Sequence, residues 1–480
     1  MRILQFNNYA DPVGGAEVYA LALTRELGRR GHEVGLFGTS PDREVDEPHL
    51  RVVRRPRYDA AVLAEEPAVR TALLRFTGAL RPELVHVHNV YSLGLDTLVA
   101  LGTLGVPIVQ TVHDFSLLCP NAWCVRGDGT NCAGGAGAQC FVHGCEKNYP
   151  FDPEVALHTL AKQRALRERV DLTLCPSVRL CELMRAHGAR DVRRLPYFIE
   201  PIPLDGAAQR AEHELVFLGR LEPEKGVDTL LAAMPAILAG EPRTRLTIVG
   251  GGSLAEALER RARELALGDA VRFQRQLPRA ELGRFYATAT ACVLPSIWTE
   301  NSPLVAYECL SAGLPMIASR IGGIPDLVED GECGFTFRPR DAADLAQQAL
   351  RLLRLPGPER ARLSAGMRER SRAFRVDEHM AQLEPLYADL VRRSAASPRE
   401  LDDDWAAILQ RVGGETRRLQ RLAADQEGYI RHLEGSLTEL QRRPSGVDGD
   451  PAPAATHAPA PDPGLLRRLA RALFPVRPAG

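Results

Sequence analysis

Short apolar runs alternate with longer amphipathic stretches along most of the chain. Residues 2–7 (RILQFN) read as a buried strand, a loop with Gly14-Gly15 follows, and the spacing predicts a helix over Ala16–Arg29. After Gly31 comes a second strand, EVGLF, which completes the first unit of a doubly wound parallel sheet. Further short runs recur at LVHVH (84–88), PIVQTVH (107–113) and LTLC (172–175). LPYFIEPIPLDG (195–206) carries three prolines and no period, and reads as a linker. The pattern then restarts. ELVFLGR (214–220) and TRLTIVGGG (244–252) are strands around the helix VDTLLAAMPAIL, and VRFQRQL, ACVLPS, PMIAS and GFTF supply more. The expected architecture is α/β: Rossmann-like domains at 1–197 and 213–375, a linker at 198–212 and a closing helix at 376–394.

The remainder differs in kind. Residues 400–442 read as a helical or coiled-coil segment, with Leu419, Leu422, Ile430, Leu433, Leu437 and Leu440 on a roughly heptad stripe. It offers an oligomer contact through 415–442, or a single helix packed on its own domain. Residues 443–464 form a Pro/Ala-rich linker, expected to be disordered, and 465–480 a basic amphipathic tail. The tail is suited to weak contact with an anionic membrane or to partner docking.

Among 480 residues, 45% are apolar and the net charge is −1, which gives no global field for nucleic acid. The start, MRILQFNNYA, lacks signal-peptide features, and no run approaches the ~18–20 apolar residues of a membrane span. The expectation is a cytoplasmic protein, peripheral at the inner membrane face if the tail engages. Ten cysteines in that compartment argue for thiols or metal rather than a disulfide framework. Only Lys147, Lys162 and Lys225 are lysines among 60 basic residues, which hints at Lys-specific needs, with codon bias as the plain alternative.

The chemistry concentrates in WTENSPLVAYECLSAGLP (298–315). Ser302 as cap, Pro303 as first helical residue and Gly313 with Pro315 as stop predict a helix between two acids. Glu300 lies in the preceding loop and Glu308 about 8 Å along the axis. Such a pair suits gripping two parts of one long ligand, and the free N–H groups at the helix start suit an anion. The plain alternative is two surface acids beside a core helix. GRLEPEKG (219–226) places Arg220 and Lys225 on one strand-end loop, fit for a diphosphate. IVGGG (248–252), with Gly250, is a tight turn at the next strand end. Cys119, Cys124, Cys132, Cys140 and Cys145 fall in a Gly-rich stretch with little apolar content. Structural zinc would fix such an insertion (119–145); redox thiols or a disulfide, and free thiols, are the alternatives.

Taken in order, these features resemble the retaining nucleotide-sugar glycosyltransferases of family 4, with the GT-B fold of two domains facing a cleft, over about residues 1–394. The matching motifs are Glu300 to Glu308, Gly219 to Gly226, Gly14-Gly15, and Thr111-Val-His-Asp114 after VHVHN. The resemblance implies a hexosyltransferase that needs no metal for catalysis, acting on a nucleotide-diphosphate sugar and a glycan or lipid-linked acceptor in polysaccharide or surface-glycan synthesis. Glu308 would hold the ribose hydroxyls, Glu300 the sugar hydroxyls, and Arg220 with Lys225 the diphosphate. Gly15 would admit the opposing helix start to that diphosphate. Backbone N–H groups of Asn301, Ser302 and Leu304, around Pro303, would face the sugar. His113 would lie beside the anomeric carbon, with Asp114 orienting it or taking the acceptor's proton. The segment from Phe273 to Leu277 would pass the base. The alternatives are an epimerase-like GT-B enzyme and a catalytically inactive scaffold.

Overall fold

The computed structural model describes residues 1–55 and 66–396, apart from 121, 131, 136–139, 141–142, 144, 146–158, 160–161, 164, 168, 200–201, 203 and 205–209. The expected segments at 400–442, 443–464 and 465–480 lie outside the described residues.

The first domain alternates strands and helices: β1 (Arg2–Tyr9), α1 (Gly15–Arg29), β2 (Glu33–Ser40), β3 (Val45–Glu47), β4 (Leu50–Arg54), α2 (Pro67–Leu80), β5 (Leu84–Val87), α3 (Leu95–Gly102), β6 (Ile108–Thr111), β7 (Leu172–Cys175), α4 (Val178–Ala186) and β8 (Val192–Arg194). The second runs β9 (Glu214–Leu218), α5 (Val227–Gly240), β10 (Arg245–Val249), α6 (Ala255–Glu264), β11 (Val271–Gln274), α7 (Gly283–Thr288), β12 (Ala291–Leu294), α8 (Leu304–Ala312), β13 (Met316–Ser319), β14 (Gly334–Phe337), α9 (Ala342–Leu353), α10 (Gly357–Ser371) and α11 (Val376–Ala396).

The two sheets have the orders β3-β4-β2-β1-β5-β6-β7-β8 and β11-β10-β9-β12-β13-β14. Their pairings are parallel except the β3–β4 ribbon. Burial on both faces explains why β5, β6, β7, β12, β13 and β14 read as short, mostly apolar runs without a solvent-facing alternation. Each sheet reverses its strand order once, between β1 and β5 and between β9 and β12. The crevice beyond the carboxyl ends at such a reversal is where open α/β sheets take ligands. The end of β1 with Asn7 and the loops carrying His88, Arg220, Lys225 and Glu300 all open there.

The stretch expected to be a plain linker is partly core. Leu195, Tyr197, Phe198 and Ile202 are buried in one apolar cluster that runs from Ile3 and Tyr19 through Tyr307 to Met380 and Tyr387. The closing helix α11 reaches back to the first domain, where Arg30 pairs with Asp377 at 2.5 Å and His32 meets Glu384 at 3.1 Å. Among the described residues no helix is long and apolar enough to cross a membrane.

Candidate active site between the two sheets

The site is built from strand ends. After β9 the chain makes a short 3-10 turn, Pro223–Lys225, and Gly226 starts α5 in the left-handed region at φ 65°. A β-carbon at Gly226 would lie 2.1 Å from the Pro295 carbonyl oxygen, so only glycine lets this loop dock against the end of β12. That docking, with Ile297 N donating to Glu224 O at 2.9 Å, brings Lys225 beneath Glu300.

Lys225 Nζ donates to Glu300 Oε1 at 2.6 Å and lies 5.1 Å from the centre of the Trp298 ring. Ser296 Oγ donates to the same oxygen at 2.8 Å. Burial alone would raise Glu300, but the Lys225 charge and the hydrogen bonds from Lys225 and Ser296 outweigh it and hold the carboxyl below its ordinary range. Glu300 is therefore a fixed buried anion, and Lys225 its neutralising partner. The expected clamp of Arg220 and Lys225 is divided in this state. Arg220 is 65% exposed and pairs with Glu224 at 2.9 Å, facing the adjoining pocket.

That pocket, about 250 Å³, is lined by Gly219, Arg220, Gly250, Gly251, Gln276, Leu277, Tyr286 and Glu308. Tyr286 OH donates to Glu308 Oε2 at 2.5 Å and Arg279 Nε to Oε1 at 3.1 Å, so the carboxylate is aimed from two sides. Phe273 instead packs on the second domain's core, and Gln276 and Leu277, further along the same segment, form the wall.

Between these parts stands the start of α8. The expected cap moves by one residue: Pro303 occupies the cap position and Leu304 is the first helical residue. The Ser302 hydroxyl is engaged by Tyr307 OH at 2.6 Å, which is why it cannot cap the helix. Gly313 ends the helix in the left-handed conformation, as its position predicts. Across the cleft, α1 starts at Gly15 with Gly14 at its cap, also with no side-chain cap bond. A β-carbon at Gly15 would stand 3.2 Å from Leu304 Cδ1, so the two helix starts converge; at the α1 start the Glu17 carboxyl accepts from the backbone N–H groups of Glu17 and Gly14. Asn301 ties the domains together. Its Nδ2 donates to the His113 carbonyl at 2.8 Å and its Oδ1 accepts from Ser177 Oγ at 2.7 Å. Asp326 accepts from Val178 N, at the first turn of α4, at 2.7 Å beside it.

His113 has both ring nitrogens engaged. Its Nε2 meets His88 Nδ1 at 2.9 Å and its Nδ1 meets Tyr197 OH at 2.7 Å, and burial pushes it down to about 3. Asp114 does not orient this ring: its Oδ1 accepts from Ser116 N at 2.8 Å, and burial raises it. Buried Glu17, one turn into α1, is raised by burial and by Asp114 nearby. Ser177, His88, Tyr197, Arg279 and Tyr286 escaped sequence reasoning because their partners lie far along the chain. The His-Val-His alternation was visible as a run, but nothing local marked His88 as a partner of His113.

The described part of the cysteine insertion brings its first three thiols together. Cys132 N donates to Cys124 O at 2.8 Å, and the Cys124 thiol is pushed up first by its hydrogen bond with Cys119 and then by burial. Cys140 and Cys145 are buried and no cysteine is in a disulfide. Among the described residues, no group of three or more His, Cys, Asp or Glu side chains is arranged to hold a metal ion.

Residues 13–201 match the family described as Glycosyltransferase Family 4, and residues 205–370 the one described as Glycosyl transferases group 1. A D-inositol 3-phosphate glycosyltransferase of Frankia alni is 32% identical over 75% of this chain and 91% of its own. A glycogen synthase of Mycobacterium tuberculosis is 30% identical over 76% and 89%. The sucrose-phosphate synthase of Thermosynechococcus elongatus shares the fold with a TM-score of 0.64 and 24% identity, over 82% of this chain and 99% of its own. Anabaena HepE, solved with UDP and glucose, does so with a TM-score of 0.59 and 16% identity, over 81% and 100%.

Proposed function

The chain belongs to glycosyltransferase family 4, of the group 1 type, and on that footing we propose that it moves a hexosyl group from a nucleoside-diphosphate sugar to a glycan or lipid-linked acceptor with retention at the anomeric carbon. It is a glycosyltransferase of the GT-B fold; the donor, the stereochemistry and the acceptor class are the proposed part. The observation that carries the reading is the convergence of two helix starts, at Gly15 and Leu304, on a cleft that also holds Lys225, Arg220 and Glu308. That is the chemistry of a bound diphosphate with a sugar on each side.

The roles follow from the partners. Glu308, gripped by Tyr286 and Arg279, presents its remaining lone pairs to the ribose hydroxyls in the pocket beneath Gly250. Glu300 orients the transferred sugar. When the C1–O bond to the diphosphate breaks, negative charge gathers on the phosphates; Lys225, Arg220 and the α1 and α8 starts are preset to receive it. Attack by the acceptor hydroxyl on the face the diphosphate leaves gives retention without a protein nucleophile, and the leaving phosphate oxygen takes the hydroxyl proton. Relatives solved with UDP and glucose, such as Anabaena HepE, lend support to a uridine-diphosphate hexose as donor.

Incubation of purified protein with UDP-, GDP- and ADP-hexoses should release nucleoside diphosphate slowly from one of them. Proton NMR of the sugar transferred to a trial acceptor should show the donor's own anomeric configuration. Inversion would refute the retaining assignment; no turnover with any donor would favour a scaffold instead.

We also propose that the 119–145 insertion carries structural zinc on the acceptor side, supported by the contact of Cys119 with Cys124 and the nearness of Cys132. The fourth ligand would be Cys140 or Cys145, both buried. Elemental analysis of the purified protein should return about one equivalent; less than half would sink the assignment.

A further inference from the structure

The start of α4, in the first domain, is held by side chains of the second. Ser177 is the cap of this helix, and its Oγ accepts from Leu180 N at 3.3 Å. The hydroxyl proton then goes to Asn301 Oδ1, 2.7 Å away. The Asn301 amide can point only one way. Its nitrogen faces the Val112 and His113 carbonyls at 3.3 and 2.8 Å, and carbonyls only accept. Ser177 and Asn301 are both buried. Asp326, also from the second domain, accepts from Val178 N, the first N–H of α4, at 2.7 Å. Its carboxylate thus meets the positive end of that helix, with Arg194 at 3.6 Å. Helix α4 takes one N-terminal partner from its own domain and another from across the domain boundary.

Both second-domain groups are stitched to the loop that carries Glu300. Asp326 ends the 3-10 turn Ile324–Asp326, and Gly323, just before it, donates its N–H to the Glu300 carbonyl at 2.7 Å. A β-carbon at Gly323 would stand 2.5 Å from Ser177 Cβ and 1.9 Å from the Asn301 carbonyl oxygen. The turn is therefore wedged between α4 and the loop, in touch with both. The Glu300 carboxylate is fixed within its own domain, by Lys225 and Ser296. The backbone that follows is tied differently: Asn301 is anchored on the first domain through both ends of its amide. Drawing the domains apart breaks these bonds together with the one from Val178 to Asp326.

We propose that Ser177 and Asp326 form a catch on the closed cleft and are positioning residues for the Asn301–Leu304 backbone. They act through Asn301 and the Gly323 turn. The catch sets turnover rather than nucleotide binding, because the pocket around Gly250 and Glu308 is lined by the second domain alone. The effect on turnover rests on the proposed reading of this loop as the sugar side of the site; the coupling between the domains does not.

Amide exchange read by mass spectrometry tests the catch, together with calorimetry and turnover. Ser177→Ala, in the first domain, should speed exchange across residues 299–305 and 321–327 of the second, with β10 unchanged. Asp326→Leu should do the same across residues 176–182 of the first. Asp326→Leu should lower kcat about tenfold, the lower end for one hydrogen bond to a charged group, and Ser177→Ala about fivefold, as for a neutral one. Affinity for the free nucleoside diphosphate (UDP, GDP or ADP, whichever binds) should stay within about twofold in both. Asp326→Asn keeps an acceptor for Val178 N and should hold kcat within about threefold of the wild type. Exchange that rises only in the domain carrying the substitution overturns the proposal. So does a diphosphate affinity that falls in step with kcat, or an Asp326→Asn enzyme as slow as Asp326→Leu. If Ser177→Ala does not fold for want of its cap, the two Asp326 variants decide. Exchange coupled across the domains in a protein that transfers no sugar supports the catch and counts against the proposed function alone.

Discussion

Replacing Lys225 with methionine lowers kcat about a thousandfold and destabilises the fold in a pH-dependent way. The first effect follows from removing a preset cation at the site where charge develops, a loss of about 10²–10³ for one such group. The second follows from Glu300. In the wild type Lys225 counters the burial of Glu300 and keeps its carboxyl below the ordinary range. A carboxyl held low contributes stability above its unfolded value, near ~4.3, and that contribution is lost as pH falls through the folded value. Without Lys225 the burial of Glu300, 5% exposed, is offset only by the smaller contributions of the Trp298 and Ser296 side chains. The folded value then rises above the unfolded one and the sign reverses: stability is lost as pH rises. At pH 8 an uncompensated buried charge costs about 3–5 kcal/mol, and acidification toward pH 5 returns part of it. Urea unfolding at the two pH values measures this, and Glu300→Gln in the Lys225→Met background should recover most of the loss without recovering turnover. A pH-independent deficit would show that Glu300 is not the group left stranded.

The strand–helix alternation was legible because both sheets are buried on two faces, so each strand is a dense apolar run and each strand end is marked by glycine or a polar break. The motif at Glu300–Glu308 was legible for the same reason: proline and glycine bound α8, and the acids fall at its start and on its exposed side. What escaped was set by distance along the chain. β3 and β8 are short edge strands with no apolar period of their own. Residues 195–206 carry three prolines, which rules out a regular element but says nothing of burial; Tyr197 and Phe198 are core because α11 and α8 close over them. Ser302 looked like a cap because its sequence position fits one, yet Tyr307, one turn on, claims the hydroxyl. His113 was found as a strand-end histidine, while its partners, 25 and 84 residues away, could not be. Lys225 stood out by rarity, and its pairing with Glu300, 75 residues on, became visible only when the Gly226 turn was seen docked against β12.

Removing the Glu308 carboxylate should weaken binding of the free nucleoside diphosphate about 30- to 100-fold while leaving Glu300 and Lys225 undisturbed. Glu308 sits in the pocket with Gly250 and Gln276, away from the Lys225–Glu300 pair, and its side chain is only 12% exposed. A hydrogen bond to a charged group contributes about 1.5–3 kcal/mol, and each 1.4 kcal/mol is tenfold in affinity. One such bond to a ribose hydroxyl, with a second partly replaced by water, gives the stated range. The fold itself should lose less. Arg279 is 43% exposed and its ion pair contributes little, so the main cost of Glu308→Ala is the Tyr286 hydroxyl left without its acceptor, about 1–3 kcal/mol. Glu300→Gln should behave oppositely. It sits on the sugar side, so calorimetric affinity for the free diphosphate should stay within about threefold while kcat with the sugar nucleotide falls by about 10². The division of labour between the two acids is the point at risk: if both substitutions weaken the free nucleotide equally, Glu300 belongs to the nucleotide site and the sugar is oriented by something else.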